Sequence, residues 1–190
     1  FPDAESYDDA AGLCASRNVD LVYIATPNRF HAEHAAMALE SKQHVLIEKP
    51  MTCDTSEARR LVDEADVRNR ILAVDHTFVY TPAVRKIHEL MTKGDLGDIY
   101  YYDSVRVNLG LFQHDVNVIW DLAVHDLAIM DYVLKERPIA VSATGLAHVP
   151  GRPQNIAYMT MFFQNSLIAH VHVNWLSPVK VRMTLIGGKD

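Results

Sequence analysis

Apolar positions fall into two textures along this chain, and the change between them divides it in two. In the first half, short unbroken apolar runs alternate with stretches of helical period. Val19–Ala25, Val45–Ile47 and Ile71–Val74 are continuous rather than alternating in apolar character, as strands of a buried parallel sheet are. Between them, Asn28–Ser41 reads as a helix with Phe30, His34, Met37 and Ala38 along one side. Thr52–Asn69 reads as another, with Leu61, Val62 and Ala65 facing inward and Thr52 or Asp54 as N-cap. A loop and short helix are expected within Phe1–Arg17, with Glu5, Asp8 and Asp9 near the positive end of its dipole. A further helix follows Thr81-Pro82, where proline suits the first turn, and stops near Lys93-Gly94. Strand–helix alternation of this kind predicts a parallel sheet covered on both faces.

After Gly97 the texture changes. Ile99, Tyr101, Val105 and Val107 mark a longer strand over 98–108, and one helix is expected over 117–134. Four strand-like segments follow, over 139–146, 156–163, 166–175 and 180–186, with Phe163-Gln164-Asn165-Ser166 as a hairpin turn. Strands that follow strands predict a mostly antiparallel sheet. The expected fold is therefore α/β: a domain with a parallel sheet over 1–96, then an α+β domain with a mostly antiparallel sheet over 97–190.

Composition narrows the classes of function. At 190 residues and 49% apolar, the chain can bury a substantial core. A formal charge of −6, with no basic stripe to neutralise phosphates, argues against nucleic acid as a partner. No apolar run is long enough to span a bilayer as a helix. Cys14 and Cys53 form no metal-ligand spacing, and a reduced cytoplasmic setting is the expectation.

Two constellations carry candidate chemistry. The run from Asp20 stops at Thr26-Pro27, and the next, His44–Ile47, stops at Glu48-Lys49-Pro50. In a right-handed β–α–β crossover both strands point their carboxyl ends to one edge of the sheet, where ligands bind in open α/β folds. Lys49 thus falls where a cofactor and a substrate would meet, in a turn stiffened by Pro50. The second constellation is Asp121 and His125, four apart on an apolar helix and so on one face. A carboxylate beside an imidazole orients the ring and raises its proton affinity, which suits proton transfer near neutral pH. Each has a plainer explanation: a solvated loop lysine, and a structural hydrogen bond between helix and sheet. Their placement, one at a sheet edge and the other on a helix of the adjoining domain, favours chemistry.

These residues also carry a resemblance. Ala25-Thr26-Pro27 with His31, Glu48-Lys49-Pro50-Met51-Thr52, Gly94-Asp95-Leu96-Gly97 and Asp121 to His125 occur in the order found in the Gfo/Idh/MocA family, the glucose–fructose oxidoreductase and inositol dehydrogenase group. The chain resembles that family over nearly its whole length. The resemblance implies catalytic roles for Lys49, Asp121 and His125, and a cofactor, NAD or NADP, bordered by Ala25, Thr26, Pro27, Asn28, His31, Glu48, Lys49 and Pro50. It also implies hydride transfer to or from a sugar or nucleotide-sugar carbon, with either Lys49 or His125 taking the hydroxyl proton. The runs Asp115–Asp121 and Val173–Pro178 look like those of sugar-active members. Tyr80, Arg106, Asn108 and Gln113 are candidates for the substrate wall. A dimer or tetramer is implied too, through the open sheet of the second domain, with Val171-His172-Val173 as a contact.

The Gly-x-Gly-x-x-Gly turn that lays a helix N-terminus on a pyrophosphate is not found in these residues. In family terms residues 1–96 are expected to be a partial Rossmann domain and 97–190 an α+β domain with an open sheet, with the first β–α–β unit, the position that discriminates NAD from NADP and the C-terminal end missing. Two rival classes remain. Ten histidines raise metal chemistry, with His170/His172 on one strand face and His31/His34 on one helix, although no His-Glu-x-x-His or paired-cysteine motif occurs. A non-catalytic binding or assembly protein on the same scaffold is the other.

Overall fold

In the computed structural model, which describes residues 3–110 and 112–190, the chain divides into two units, Phe1–Asp75 and His76–Asp190, each with its own core. Phe1 of the first expected segment lies outside the described residues.

The first unit is a parallel sheet of β1 (Leu21–Ile24), β2 (His44–Ile47) and β3 (Leu72–Val74), in that spatial order. Its helices are α1 (Ala10–Ala15), α2 (His31–Glu40) and α3 (Thr55–Val67). Val22, Ile24, Val45 and Ile47 form the core with alanines of α2, Leu39, Leu61 and Ala65. Among the described residues of this unit the helices pack on one face of the sheet, where the alternation predicts both. Leu21 and Tyr23, on the other face of β1, are 53% and 49% exposed. The helix after Pro82 joins the other unit, where its apolar stripe finds a partner.

The inward face of α2 is made mainly of small side chains. His31, Ala32, Ala35, Ala38 and Leu39 are buried, while Phe30 and His34 stack on each other 5.7 Å apart on the outer side. Alanines let the helix backbone approach the sheet closely. On α3, Leu61 and Ala65 point inward as expected, but Val62 is exposed. Asp54 caps α3 by accepting from the amides of Ser56 (2.8 Å) and Glu57 (3.2 Å). Asp9 does the same for α1 through Gly12 N–H at 2.7 Å.

The second unit is a five-stranded sheet in the order β5-β6-β7-β4-β8. Its strands are β4 (Ile99–Leu109), β5 (Ala140–Leu146), β6 (Ile156–Phe162), β7 (Ile168–Asn174) and β8 (Leu176–Gly188). Only the β4–β7 pair is parallel; the other three are antiparallel. Helices α4 (Pro82–Lys93) and α5 (Val124–Leu134) pack together over one face. Val84, Tyr102, Val118, Met130, Val171 and Trp175 belong to that core. The opposite face leaves Tyr158, Phe162, Ile168, Met183 and Leu185 exposed.

Strand β8 is longer than the expected 180–186 because β4 offers it pairing along its whole length, from Ile99 opposite Gly188 to Leu109 opposite Leu176. The helix expected over 117–134 is not uniform. Residues Ile119–Ala123 form a π-helical turn ahead of α5, and the side chain of Asn117 caps it by accepting from the amides of Ile119 and Trp120. Such turns widen the spiral and commonly re-aim side chains at functional positions.

Candidate active site

The register of the parallel sheet aligns Ile24, Ile47 and Val74 in one row, so the chain leaves all three strands at the same edge. Ala25, Thr26 and Pro27 are exposed there, and Asn28 begins a short 3₁₀ turn. Glu48 and Lys49 are half-buried and Pro50 is buried, with the Lys49–Pro50 peptide cis. Tyr23, unremarked in the sequence, anchors this turn. Its hydroxyl donates to Glu48 Oε1 at 2.7 Å and lies 3.3 Å from Asp75 Oδ2. The bond to Glu48, with the charges of both carboxylates, pushes the Tyr23 phenol up to about 12. The other Glu48 oxygen accepts from the Lys49 amide at 3.3 Å. The backbone from which Lys49 projects is therefore held from one side by a phenol–carboxylate contact. From the other side it is held by His31, which is buried and has its two ring nitrogens each 2.8 Å from a carbonyl, that of Pro50 and that of Thr26. Thr26 in turn pairs its hydroxyl with His34 Nδ1 at 3.2 Å. An open cleft of about 540 Å³, lined by Tyr7, Leu13, Cys14, Tyr23, Thr26 and His34, runs along the flank of β1 up to this edge.

In the second unit, Asp121 lies in the π-helical turn and accepts a hydrogen bond from Trp175 Nε1 at 3.0 Å. Trp175 is fully buried, so this donor fixes one carboxylate oxygen in place. Phe78 meets His125 edge to face, with ring centroids 4.8 Å apart. Beneath them lies a buried ion pair. Arg106 donates from Nε at 2.7 Å and from Nη2 at 3.2 Å to the two oxygens of Asp126. The Arg106 guanidinium also lies 4.6 Å over the Phe78 ring, with Arg182 5.5 Å away. Tyr102 donates to the Asp126 carbonyl at 3.2 Å, and burial, helped by the Asp126 charge, pushes its phenol well up.

The four substrate-wall candidates fare differently. Arg106 is corrected: it is 4% exposed and committed to Asp126, because alternation along β4 turns residues 102, 104 and 106 to the core face. Tyr80 is exposed, with the Arg85 guanidinium 5.7 Å from its ring. Asn108 is half-buried against Gly110, and Gln113 is half-buried in the segment that leads to the π-helical turn. Four residues escaped sequence reasoning: Tyr23, Phe78, Asp126 and Trp175 as the partner of Asp121. Tyr23 and Asp126 had local signals, a polar tip at a strand's end and an acid in an apolar helix. The contacts of Phe78 and Trp175 are set by distant pairing and had none. Among the described residues no three His, Cys, Asp or Glu side chains converge as metal ligands.

Comparison with known proteins bears on both halves. Residues 1–76 match the family description "Oxidoreductase family, NAD-binding Rossmann fold", and residues 84–190 match the "GFO/IDH/MocA C-terminal domain". The chain belongs to the Gfo/Idh/MocA family. It is 33% identical over 156 residues to the UDP-N-acetylglucosamine 3-dehydrogenase of Acidithiobacillus ferrooxidans, covering 80% of this chain and 48% of that protein. It is 29% identical over 182 residues to the 1-carboxy-3-chloro-3,4-dihydroxycyclohexa-1,5-diene dehydrogenase of Comamonas testosteroni, covering 90% of this chain and 46% of that one. The solved structure of the A. ferrooxidans enzyme, GnnA, superposes with a TM-score of 0.82 at 29% identity, over 98% of this chain and 59% of that chain. The chain thus spans about half the length of the curated relatives it matches.

The family's nicotinamide cofactor fits what the first unit offers. Three parallel strands end in one row, and an exposed Thr26-Pro27 segment faces a cleft beside them. Lys49 stands at the same edge, in a turn whose backbone is bonded at Glu48 and at Pro50.

Proposed function

We propose that this chain forms part of an NAD(P)-dependent oxidoreductase that moves a hydride between the cofactor and a hydroxyl or keto carbon of a sugar or nucleotide sugar. The observation that carries this reading is the doubly held turn at Lys49, on the ligand edge of a parallel sheet, in a member of this family. When bound, the nicotinamide supplies the hydride acceptor or donor. Lys49 donates a hydrogen bond to the substrate oxygen and stabilises negative charge that develops there. His125 takes the hydroxyl proton in the oxidative direction and returns it in the reductive one. Asp121, one of whose oxygens accepts from Trp175, orients the imidazole. Ala25, Thr26, Pro27, Asn28, His31, Glu48, Lys49 and Pro50 border the cofactor, while Tyr80, Asn108 and Gln113 remain for the substrate.

The substrate class is supported by relatives named UDP-N-acetylglucosamine 3-dehydrogenase and D-glucoside 3-dehydrogenase. A homo-oligomer, dimer or tetramer, assembled through the open face of the β5–β8 sheet, belongs to the same reading. That face exposes a run of large apolar side chains of the kind that marks an association surface. A cytoplasmic setting belongs to it as well.

The test is turnover in the parent protein, followed through NADH or NADPH absorbance with a panel of sugars and nucleotide sugars. Lys49→Ala and His125→Ala should each lower kcat by about 10²–10⁴-fold, the scale of a lost acid–base or electrostatic group. Circular dichroism should remain that of the unaltered protein. Normal turnover in both variants refutes the assignment.

A further inference from the structure

We infer that Arg182 is a specificity-determining residue: its guanidinium holds a phosphate or carboxylate substituent of the sugar and so selects charged sugars over neutral ones. The inference rests on the role proposed for His125 and adds to it a residue that the sequence did not single out.

Arg182 stands opposite Arg106 in the β4–β8 register, so the two side chains rise from paired strands on the same side of the sheet. Both guanidinium groups meet the ring of Phe78, that of Arg106 at 4.6 Å and that of Arg182 at 5.5 Å from its centroid. Like charges directly opposite each other on paired strands repel unless something neutralises them. Asp126 neutralises only one, because both of its oxygens accept from the buried Arg106. Arg182 is exposed, and among the described residues no carboxylate is within ion-pair range of it. Lys180, also exposed and two residues earlier on β8, falls on the same side by the strand's period of two. This corner of the unit therefore carries positive charge without a counter-charge.

Its place next to the proposed base gives that charge a use. The Phe78 ring over which Arg182 lies also meets His125 edge to face, with centroids 4.8 Å apart. One aromatic ring thus touches both the imidazole and the uncompensated guanidinium. Lying over a ring engages the charge of a guanidinium but none of its five N–H donors. Those donors form a planar fork that matches two oxygens of a carboxylate or a phosphate, and such charge-assisted pairs are the strong ones. A neutral hydroxyl at the same place would leave the charge unanswered. The oxyanion has two chemical sources on a sugar, the diphosphate of a nucleotide sugar and the carboxylate of a uronic acid.

The experiment titrates glucose, glucuronate and UDP-glucose separately into the 190-residue chain and follows the arginine Nε–H signals by ¹H–¹⁵N NMR. The Arg182 signal is assigned by its loss in Arg182→Met, which keeps an unbranched stem against Phe78 and whose fold is checked by circular dichroism. Expected is a saturable shift of that signal with glucuronate, with UDP-glucose or with both, and none with glucose. A shift with glucuronate alone assigns the carboxylate, and one with UDP-glucose alone assigns the diphosphate. In Arg182→Met the affinity for the responding anion, measured by calorimetry, should fall about 10–100-fold, the scale of a hydrogen bond to a charged group. Arg182→Lys should recover part of it, since the charge returns without the fork. Two results overturn the inference: no shift with either anion, or an affinity in the folded Met variant equal to that of the unaltered chain. In the parent protein the loss should fall on KM rather than kcat, a split that a merely structural contact with Phe78 would not produce. Failure of the enzyme assignment would show as normal turnover in Lys49→Ala and His125→Ala and would leave the anion response of Arg182 in place.

Discussion

The Arg106–Asp126 pair is the most informative place to perturb the second unit. Both side chains are nearly sealed, at 5% and 3% exposure, and both guanidinium contacts are short. Asp126→Ala would leave the guanidinium buried over the Phe78 ring without its counter-charge. Breaking one side of a buried pair costs about 3–5 kcal/mol, since the remaining ion has lost its hydration and gained nothing in exchange. For a unit of this size, at about 4 °C per kcal/mol, the melting temperature should fall by roughly 12–20 °C. Urea unfolding gives the same quantity as a midpoint shift. Tryptophan fluorescence reports it selectively, because Trp120 and Trp175 are the chain's two tryptophans and both lie in the second unit. The double variant Arg106→Met with Asp126→Val removes both charges at nearly the same combined volume, and should recover most of the loss. Two results would refute the reasoning: a loss below about 1 kcal/mol for Asp126→Ala, the scale of an exposed pair, or a double variant as unstable as the single one.

Two further expectations are independent of that pair. His172 stacks on Tyr158 at 4.3 Å on the open sheet face, and its imidazole is lowered below the usual 6.5, first by burial and then by the nearby His170. The unfolded chain therefore binds the proton more readily, so the contribution of His172 is complete above pH 6.5 and is lost as pH falls through its lower folded value. His172→Phe should flatten the decline in stability below that pH, and an unchanged slope would show that other groups cause it. Trp175→Phe removes the donor to Asp121 while keeping a ring against Phe112, and should cost about 2 kcal/mol in urea unfolding, the scale of a hydrogen bond to a charged group; an unaltered midpoint would show that the contact contributes nothing.

Legibility in the sequence tracked the range of the interactions. Strands β1 to β3 were visible because a parallel strand is a short apolar run with stops at either end, and the edge carrying Lys49 followed from their order alone. The helix α4 was equally visible as an element, yet its allegiance was not, since Val84, Ile87 and Met91 could have faced either sheet. On α2 the inward face was not legible, since close packing of alanines on a sheet leaves no hydrophobic peak in the sequence. The π-helical turn around Asp121 was illegible because one extra residue in a turn leaves the apolar pattern nearly intact. Arg106 was misread for a related reason. An arginine inside a strand looks like a surface or ligand group until the register of β4 turns it toward α5, where Asp126 waits.

The position of β4 has a consequence for how the second unit comes into being. This strand is the first of its sheet along the chain, yet it sits between the two strands made last, β7 and β8. Both of its hydrogen-bonding edges must wait for residues 168–188, so the sheet closes only through contacts far apart in sequence, which slows folding. A chain arrested anywhere between β4 and β7 carries an eleven-residue strand with two unpaired edges and no partner of its own. Such edges recruit one another between chains. The yield of this protein in a cell should therefore depend on elongation rate and on chaperones that shield strands.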